Sequence, residues 1–186
     1  MRLVLASQSP RRREILEAAG IPFTVRVSGV PEQRAPDEPP RDYVRRLARE
    51  KARAVTLLED EVILSADTIV VAGDRVFEKP ADAADAARML EELSGREHKV
   101  VTGVCLRTAH TEVVEVAETS VRFSVLMPGE IAEYVASGEP MDKAGGYAIQ
   151  GLASKFISSI DGEYFNVVGL PVALVYRMLR QISKRL

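Results

Sequence analysis

Several things are scarce in this chain of 186 residues, and each scarcity closes off a class of function. A single cysteine, Cys105, rules out an intramolecular disulfide and any cysteine-built zinc cage. Its setting, Val100-Val101-Thr102-Gly103-Val104-Cys105-Leu106, reads as a buried strand, so it is expected to be a small core residue and not a nucleophile. Two histidines, His98 and His110, are expected at solvated strand ends with no catalytic partner at useful spacing. There is no tryptophan, and only 5% of residues are aromatic, too few for the stacking surfaces of a single-strand binder. Cations do not outnumber anions: Lys plus Arg is 25 against Asp plus Glu of 27, a net charge of -2. That balance argues against general nucleic-acid binding. No apolar run approaches 18 residues, and no such run precedes the first arginines, so a cytoplasmic protein without a membrane contact is expected. Neither a dinucleotide GxGxxG after a strand nor a P-loop GxxxxGK[ST] occurs.

What is present is a chain 46% hydrophobic, enough for one sizeable core or two closely joined lobes. Strand and helix signals alternate. Leu3–Ala6 and Phe23–Val27 read as strands, followed by a polar, proline-rich loop from Ser28 to Pro40 and a helix from about Asp42 to Leu58. Val62–Ala66 runs through Asp67-Thr68 into Ile69–Val71, and Gly73-Asp74 marks a hairpin. Asp82 caps an alanine-rich helix ending near Gly95, and two long strands, His98–Leu106 and Glu112–Phe123, follow. A helix from Pro128 to Gly138, a glycine-rich segment over 143–151, a strand near Phe156–Ile160 and a helix after Pro171 complete the chain. This is a mixed-sheet α/β protein. With no repeat, low-complexity tract or clear linker, one compact unit over residues 1–186 is expected.

The most informative stretch is Ser7-Gln8-Ser9-Pro10-Arg11-Arg12-Arg13. It lies between the first strand and an amphipathic run, with Ser9 suited to an N-cap, Pro10 to the first helical position and Gly20 to the stop. Three arginines in a first turn oppose the helix dipole, at a few tenths of a kcal/mol or more each. An anion bound there would offset the penalty, and hydroxyls, backbone N–H groups and guanidinium forks make a phosphate cradle. Asp67 is the second feature: a carboxylate in the middle of an apolar strand is costly unless paired, hydrogen-bonded or metal-bound. Thr68 beside it either orients a ligand or fills a β position. Lys51 in Arg49–Arg53, Lys79 after the hairpin and Glu32 in a loop carry little signal alone, a solvated charged face being the default for Lys51. Two glycines beside Tyr147 let backbone approach a flat ligand, with Gln150 offering a donor and an acceptor, or else close a tight loop.

Taken in order, these pieces resemble one family. Leu-Ala-Ser-Gln-Ser-Pro-Arg-Arg at 5–12, Ser-Ala-Asp-Thr-Ile-Val at 65–70, Glu78-Lys79-Pro80 and Tyr147–Gly151 are similar to the motifs of Maf-type nucleoside triphosphate pyrophosphatases. So are Leu93-Ser94-Gly95, Glu139–Gly145 and Val168-Gly169-Leu170-Pro171. The resemblance implies an elongated mixed sheet flanked by helices, with two lobes and a cleft, like the inosine-triphosphate pyrophosphatase (Maf/Ham1-type) fold. It implies hydrolysis of a nucleoside triphosphate to the monophosphate and pyrophosphate. On this resemblance Asp67 is the proton acceptor. Ser7, Ser9, Arg11, Arg12, Lys51 and Lys79 bind substrate, Glu32 is a further polar residue of the cleft, and Arg11, Thr68 and Gln150 choose the base. With Gln150 and the Tyr147–Gly151 pattern, the chain resembles the subgroup preferring dTTP and UTP and not the one acting on 7-methyl-GTP; a homodimer is implied as well. The implied divalent cation, Mg²⁺ or Mn²⁺, prefers carboxylate oxygens, which makes Asp67 and Glu32 its expected ligands. Water attack on the α-phosphorus, in line with pyrophosphate, is the expected step. The competing reading is a nucleotide-binding regulator of cell division with little turnover. RNA binding through Arg11–Arg13 is disfavoured by charge and aromatic content.

Overall fold

The computed structural model describes residues 1–27 and 29–183; Ser28, where the polar loop was expected to begin, lies outside the described residues. The strands are β1 (Arg2–Leu5), β2 (Phe23–Val25), β3 (Glu61–Ala72), β4 (Arg75–Phe77), β5 (Glu97–Arg107), β6 (Glu112–Phe123) and β7 (Ile157–Asp161). The helices are α1 (Pro10–Ala18), α2 (Pro40–Arg53), α3 (Ala83–Leu93), α4 (Pro128–Ala136), α5 (Tyr164–Val168) and α6 (Val172–Ser183). The strands form a mixed seven-stranded sheet in the order β2-β1-β3-β5-β6-β7, with β4 paired to β3. β1 runs parallel to both β2 and β3, whereas β3–β4 and β6–β7 are antiparallel. The expected mixed α/β architecture is the one observed.

Contacts divide the chain into two compact units. The first holds residues 1–68, 102–117 and the chain from Gly169 onward; the second holds 69–101 and 118–168. In the first unit, α2 presents Tyr43, Val44, Leu47, Ala48, Lys51 and Ala52 to the interior. Its alanines pack with Val4, Ala6, Ile63 and Cys105. Small residues bring helix and sheet close, and Gly103 on β5 brings them closer still. A Cβ there would lie 2.3 Å from the carbonyl oxygen of Val44. Cys105 is the buried core residue expected, and burial pushes its thiol up to about 12. α2 stops at Arg53, short of the expected Leu58, where Arg107 Nη1 donates to the terminal carbonyl of Ala52 at 3.2 Å. The cation suits the helix C-terminus.

The second unit packs α3 and α4 around Leu90, Leu93, Val121, Phe123, Tyr134 and Phe156. Asp82 caps α3 as expected, accepting from the Asp85 N–H at 2.8 Å. His98 corrects an expectation: it is buried, not solvated, while His110 is exposed as expected. Strand alternation explains it, because His98 shares a face with Val100 while Glu97 and Lys99 point to solvent. The His98 Nε2 and the Tyr147 hydroxyl share a hydrogen bond of 2.7 Å, and both rings meet Phe123 edge-on. The Nδ1 has no partner among the described residues. Ala144–Gly146 and Leu152–Phe156 form short 3₁₀ turns, and α5 was not foreseen; all are too short for a periodic pattern.

Gly103→Ala is expected to destabilise the protein by about 2–3 kcal/mol in urea unfolding, since α2 backbone has to retreat. Gly129→Ala, with open space at its Cβ, serves as the silent control. Burial lowers the His98 pKa from 6.5 to about 4, so the unfolded chain takes up a proton there before the folded one. The stability this gives is complete above pH 6.5 and is lost as pH falls toward 4. Unfolding midpoints compared at pH 7 and pH 5 are expected to show that loss in the parent and a smaller one in His98→Gln.

Candidate active site

The site in the first unit grows from the loop after β1. Ser9 occupies the N-cap in extended conformation and Pro10 the first helical position, but the Ser9 side chain makes no capping bond. Its backbone N–H is bonded instead by the Ser7 hydroxyl at 3.2 Å. The same hydroxyl accepts from Arg12 Nη1 at 3.2 Å, so Ser7 is an internal fastener of this turn.

Arg12 turns inward. Its Nη1 donates to the Ala66 carbonyl at 2.9 Å, Nε to the Gly169 carbonyl at 2.8 Å and Nη2 to the Thr68 hydroxyl at 3.2 Å. These bonds and that to Ser7 use four of the five guanidinium N–H groups. Burial lowers its proton affinity, Asp67 and Glu32 raise it, and Arg11 lowers it again. Arg11 is half-buried, and Arg13 is exposed and donates to the Gln8 carbonyl at 3.1 Å. The three arginines therefore differ: one is a brace between β3 and the Gly169 turn, and the other two lie nearer the surface.

Asp67 is buried in β3, 5% exposed, in an unbroken strand. Lys51 is the partner it requires. The Lys51 ammonium lies 2.6 Å from Asp67 Oδ1 and 2.6 Å from Glu32 Oε1. Glu32 remains 48% exposed at its side chain, so the ammonium bridges a buried carboxylate to an outward-facing one. The default reading of Lys51 as a solvated charge is thereby corrected. A legible signal existed: Lys51 stands seven residues after Val44, four after Leu47 and three after Ala48, on the buried face of α2. Beside it, the Ser65 hydroxyl donates to the Ala48 carbonyl and ties α2 to β3.

Thr68 Oγ1 also lies 3.0 Å from Thr102 Oγ1, so its hydroxyl is shared between Arg12 and β5. Thr102 and Gly169 are participants that residue patterns missed, since a threonine in a strand and a backbone carbonyl carry no chemical signature. Ser7, Arg12 and Thr68 form one connected group, and Glu32, Lys51 and Asp67 another. Lys79, exposed after β4, and Gln150, exposed in a turn, belong to the second unit. Among the described residues no three His, Cys, Asp or Glu side chains cluster as a complete metal cage. No described helix is long and apolar enough to cross a membrane.

The model of Maf-like proteins matches residues 2–182. This chain belongs to the Maf-like family. It is similar to the dTTP/UTP pyrophosphatase of Koribacter versatilis, 53% identical over 182 residues, covering 97% of this chain and 94% of the relative. It is also similar to the dTTP/UTP pyrophosphatase of Escherichia coli O157:H7, 49% identical over 183 residues, covering 97% and 93%. Among solved structures, the Staphylococcus aureus Ham1 protein aligns over 66% of this chain and 72% of its own, with 12% identity and a TM-score of 0.46. In this Maf-like chain the first unit thus holds the two connected groups, Ser7 with Arg12 and Thr68, and Glu32 with Lys51 and Asp67, while Lys79 and Gln150 belong to the second.

Lys51→Met leaves Asp67 buried without a counter-charge and is expected to cost about 3–5 kcal/mol of stability in urea unfolding. Adding Asp67→Asn is expected to recover more than half of that loss, which identifies the buried charge and not the lost packing as its source.

Proposed function

We propose that this Maf-like chain hydrolyses dTTP and UTP to the nucleoside monophosphate and pyrophosphate, with Asp67 as the proton acceptor. The observation that carries this reading is the buried Asp67 carboxylate, held by Lys51 beside the outward-facing Glu32. A protein that only bound a triphosphate, with no cation between, would gain nothing from a buried anion near the phosphates.

In this reading Asp67 accepts the proton of a water that attacks the α-phosphorus, and pyrophosphate leaves in line. Lys51 offers a cation to the phosphate charge from the position it now holds between two carboxylates. Ser9 and Arg11 stand at the N-terminus of α1, where N–H groups and the dipole favour an anion. Ser7 and Arg12 shape that turn from inside, so their contribution to substrate binding is chiefly to fix its backbone. Lys79 is a further substrate-binding cation in this reading. For base choice, the Gln150 amide matches the adjacent N–H and C=O of uracil and thymine, with Thr68 and Arg11 as further contributors.

Asp67 and Glu32 supply the hard oxygen donors that suit Mg²⁺ or Mn²⁺, whose remaining positions phosphates and water commonly fill. When bound, such a cation neutralises phosphate charge and makes a water easier to deprotonate. A homodimer in the cytoplasm belongs to the same reading.

Pyrophosphate release from a panel of nucleoside triphosphates with Mg²⁺ or Mn²⁺ tests it. dTTP and UTP are expected to be turned over fastest, and Asp67→Asn is expected to lower kcat by about 10²- to 10⁴-fold while dTTP still binds. Binding of dTTP without turnover of any nucleotide would favour the regulator instead. Unchanged turnover in Asp67→Asn would remove the proton acceptor from this residue.

A further inference from the structure

The turn that carries Gln150 is closed by the Gly151 N–H on the Ala148 carbonyl at 3.1 Å, and its backbone is held at two further points by one pair of side chains. Tyr134 on α4 is 2% exposed. Its hydroxyl donates to Glu139 Oε1 at 2.9 Å and accepts the Ala148 N–H at 3.1 Å. The second carboxylate oxygen, Glu139 Oε2, accepts the Leu152 N–H at 3.1 Å. Gln150 lies midway between the two bonded amides.

Two further observations show that this arrangement is built. Gly151 has an ordinary negative φ, so no left-handed backbone calls for glycine there. A Cβ at Gly151 would lie 2.2 Å from Glu139 Oε2, so a side chain there would push the carboxylate from its present place. The carboxylate therefore sits against the turn's backbone, and the residue after Gln150 is the one that lets it. At the near end, Tyr147 is anchored by the buried His98. Burial, and then the Glu139 carboxylate, push the Tyr134 pKa upward, so the phenol stays protonated and donates.

We propose that Tyr134 and Glu139 are a positioning pair that fixes the Ala148–Leu152 backbone and thereby sets the pose of Gln150 for choosing the base. This rests on the reading of Gln150 as a base-selecting residue. Neither Tyr134 nor Glu139 is asked to touch the nucleotide. Their effect falls on discrimination between bases and not on the hydrolytic step.

The measurement is the ratio of kcat/KM for dTTP to that for dCTP, which has the same sugar and a base with a different donor–acceptor edge. Tyr134→Phe keeps the edge-on packing against Phe156 and removes both hydroxyl hydrogen bonds. It is expected to lower the ratio about five-fold, the effect of a hydrogen bond or so, with kcat for dTTP little changed. Glu139→Ala is expected to lower it similarly. Glu139→Gln, which keeps one acceptor, is expected to restore part of the loss. Gln150→Ala is expected to lower the ratio by itself, and adding Tyr134→Phe to it is expected to lower it no further. If Gln150→Ala lowers the ratio and Tyr134→Phe does not, the positioning role is overturned while the base-selecting role of Gln150 stands. If Gln150→Ala leaves the ratio unchanged, Gln150 does not choose the base, and the proposal fails with that reading. A further fall in the double variant would place the effect of Tyr134 outside Gln150 and overturn the proposal.

Discussion

The arrangement of the first unit depends on one buried ion pair, Lys51 with Asp67. A carboxylate in the middle of an apolar strand is tolerable only with a counter-charge at hydrogen-bond range. Lys51 supplies it at 2.6 Å, from a helix that has to lie close against the sheet for the ammonium to reach. The approach is made by small residues: Ala48 and Ala52 on α2, and Gly103 on β5, where even one methyl group would strike the Val44 carbonyl. The Ser65–Ala48 hydrogen bond fixes the same helix one turn before Lys51. Packing and site chemistry are thus one problem in this unit. The alanines that look like ordinary core filling set the distance at which the charge pair forms.

The arginines at the head of α1 show how an energetic argument can be right about a penalty and incomplete about its remedy. Three cations in a first turn do call for negative charge. For Arg12 that charge is supplied internally, by two backbone carbonyls within 2.9 Å and by the fields of Asp67 and Glu32. A guanidinium suits this task, since its planar fork reaches several acceptors at once and remains charged when buried. Arg13, the exposed one, donates to the Gln8 carbonyl instead. Arg11, half-buried, stands close enough to Arg12 to lower its proton affinity.

Much of the fold was legible because strong local signals agreed with the tertiary outcome. β6 begins and ends where alternation and the polar turn placed it, at Glu112 and Phe123. Asp82 and Pro128 start their helices, and the Gly73-Asp74 turn closes the hairpin of β3 and β4. Asp67 was visible because its surroundings made it costly. Lys51 and His98 were misread for a common reason: residue type was given more weight than position. A lysine reads as solvated and a histidine near a strand end as exposed. Helical spacing in one case and strand alternation in the other place both side chains inward. The acceptors of Arg12 were beyond reach, since a backbone carbonyl has no residue identity and Gly169 lies 157 positions away.

The second unit follows a different logic. Its helices and strands bury a large apolar cluster, yet the segment between α4 and β7 contains only short 3₁₀ turns. Such turns satisfy only some of their own amides, and others are bonded by side chains or by more distant backbone. Tyr134, Glu139 and the Glu78 carbonyl do this for Ala148, Leu152 and Gly145 respectively. The glycines follow from the same constraint. Gly145 takes a positive φ against Val70, and Gly151 leaves room for a carboxylate. Period-based reading fails here in principle, because the constraint is a set of point contacts and not a repeating face. A segment held by point contacts keeps a defined backbone while its exposed side chains stay unburied. Gln150, exposed on a turn braced on either side, is in that position: its amide can meet a ligand without the turn having to be ordered at that moment.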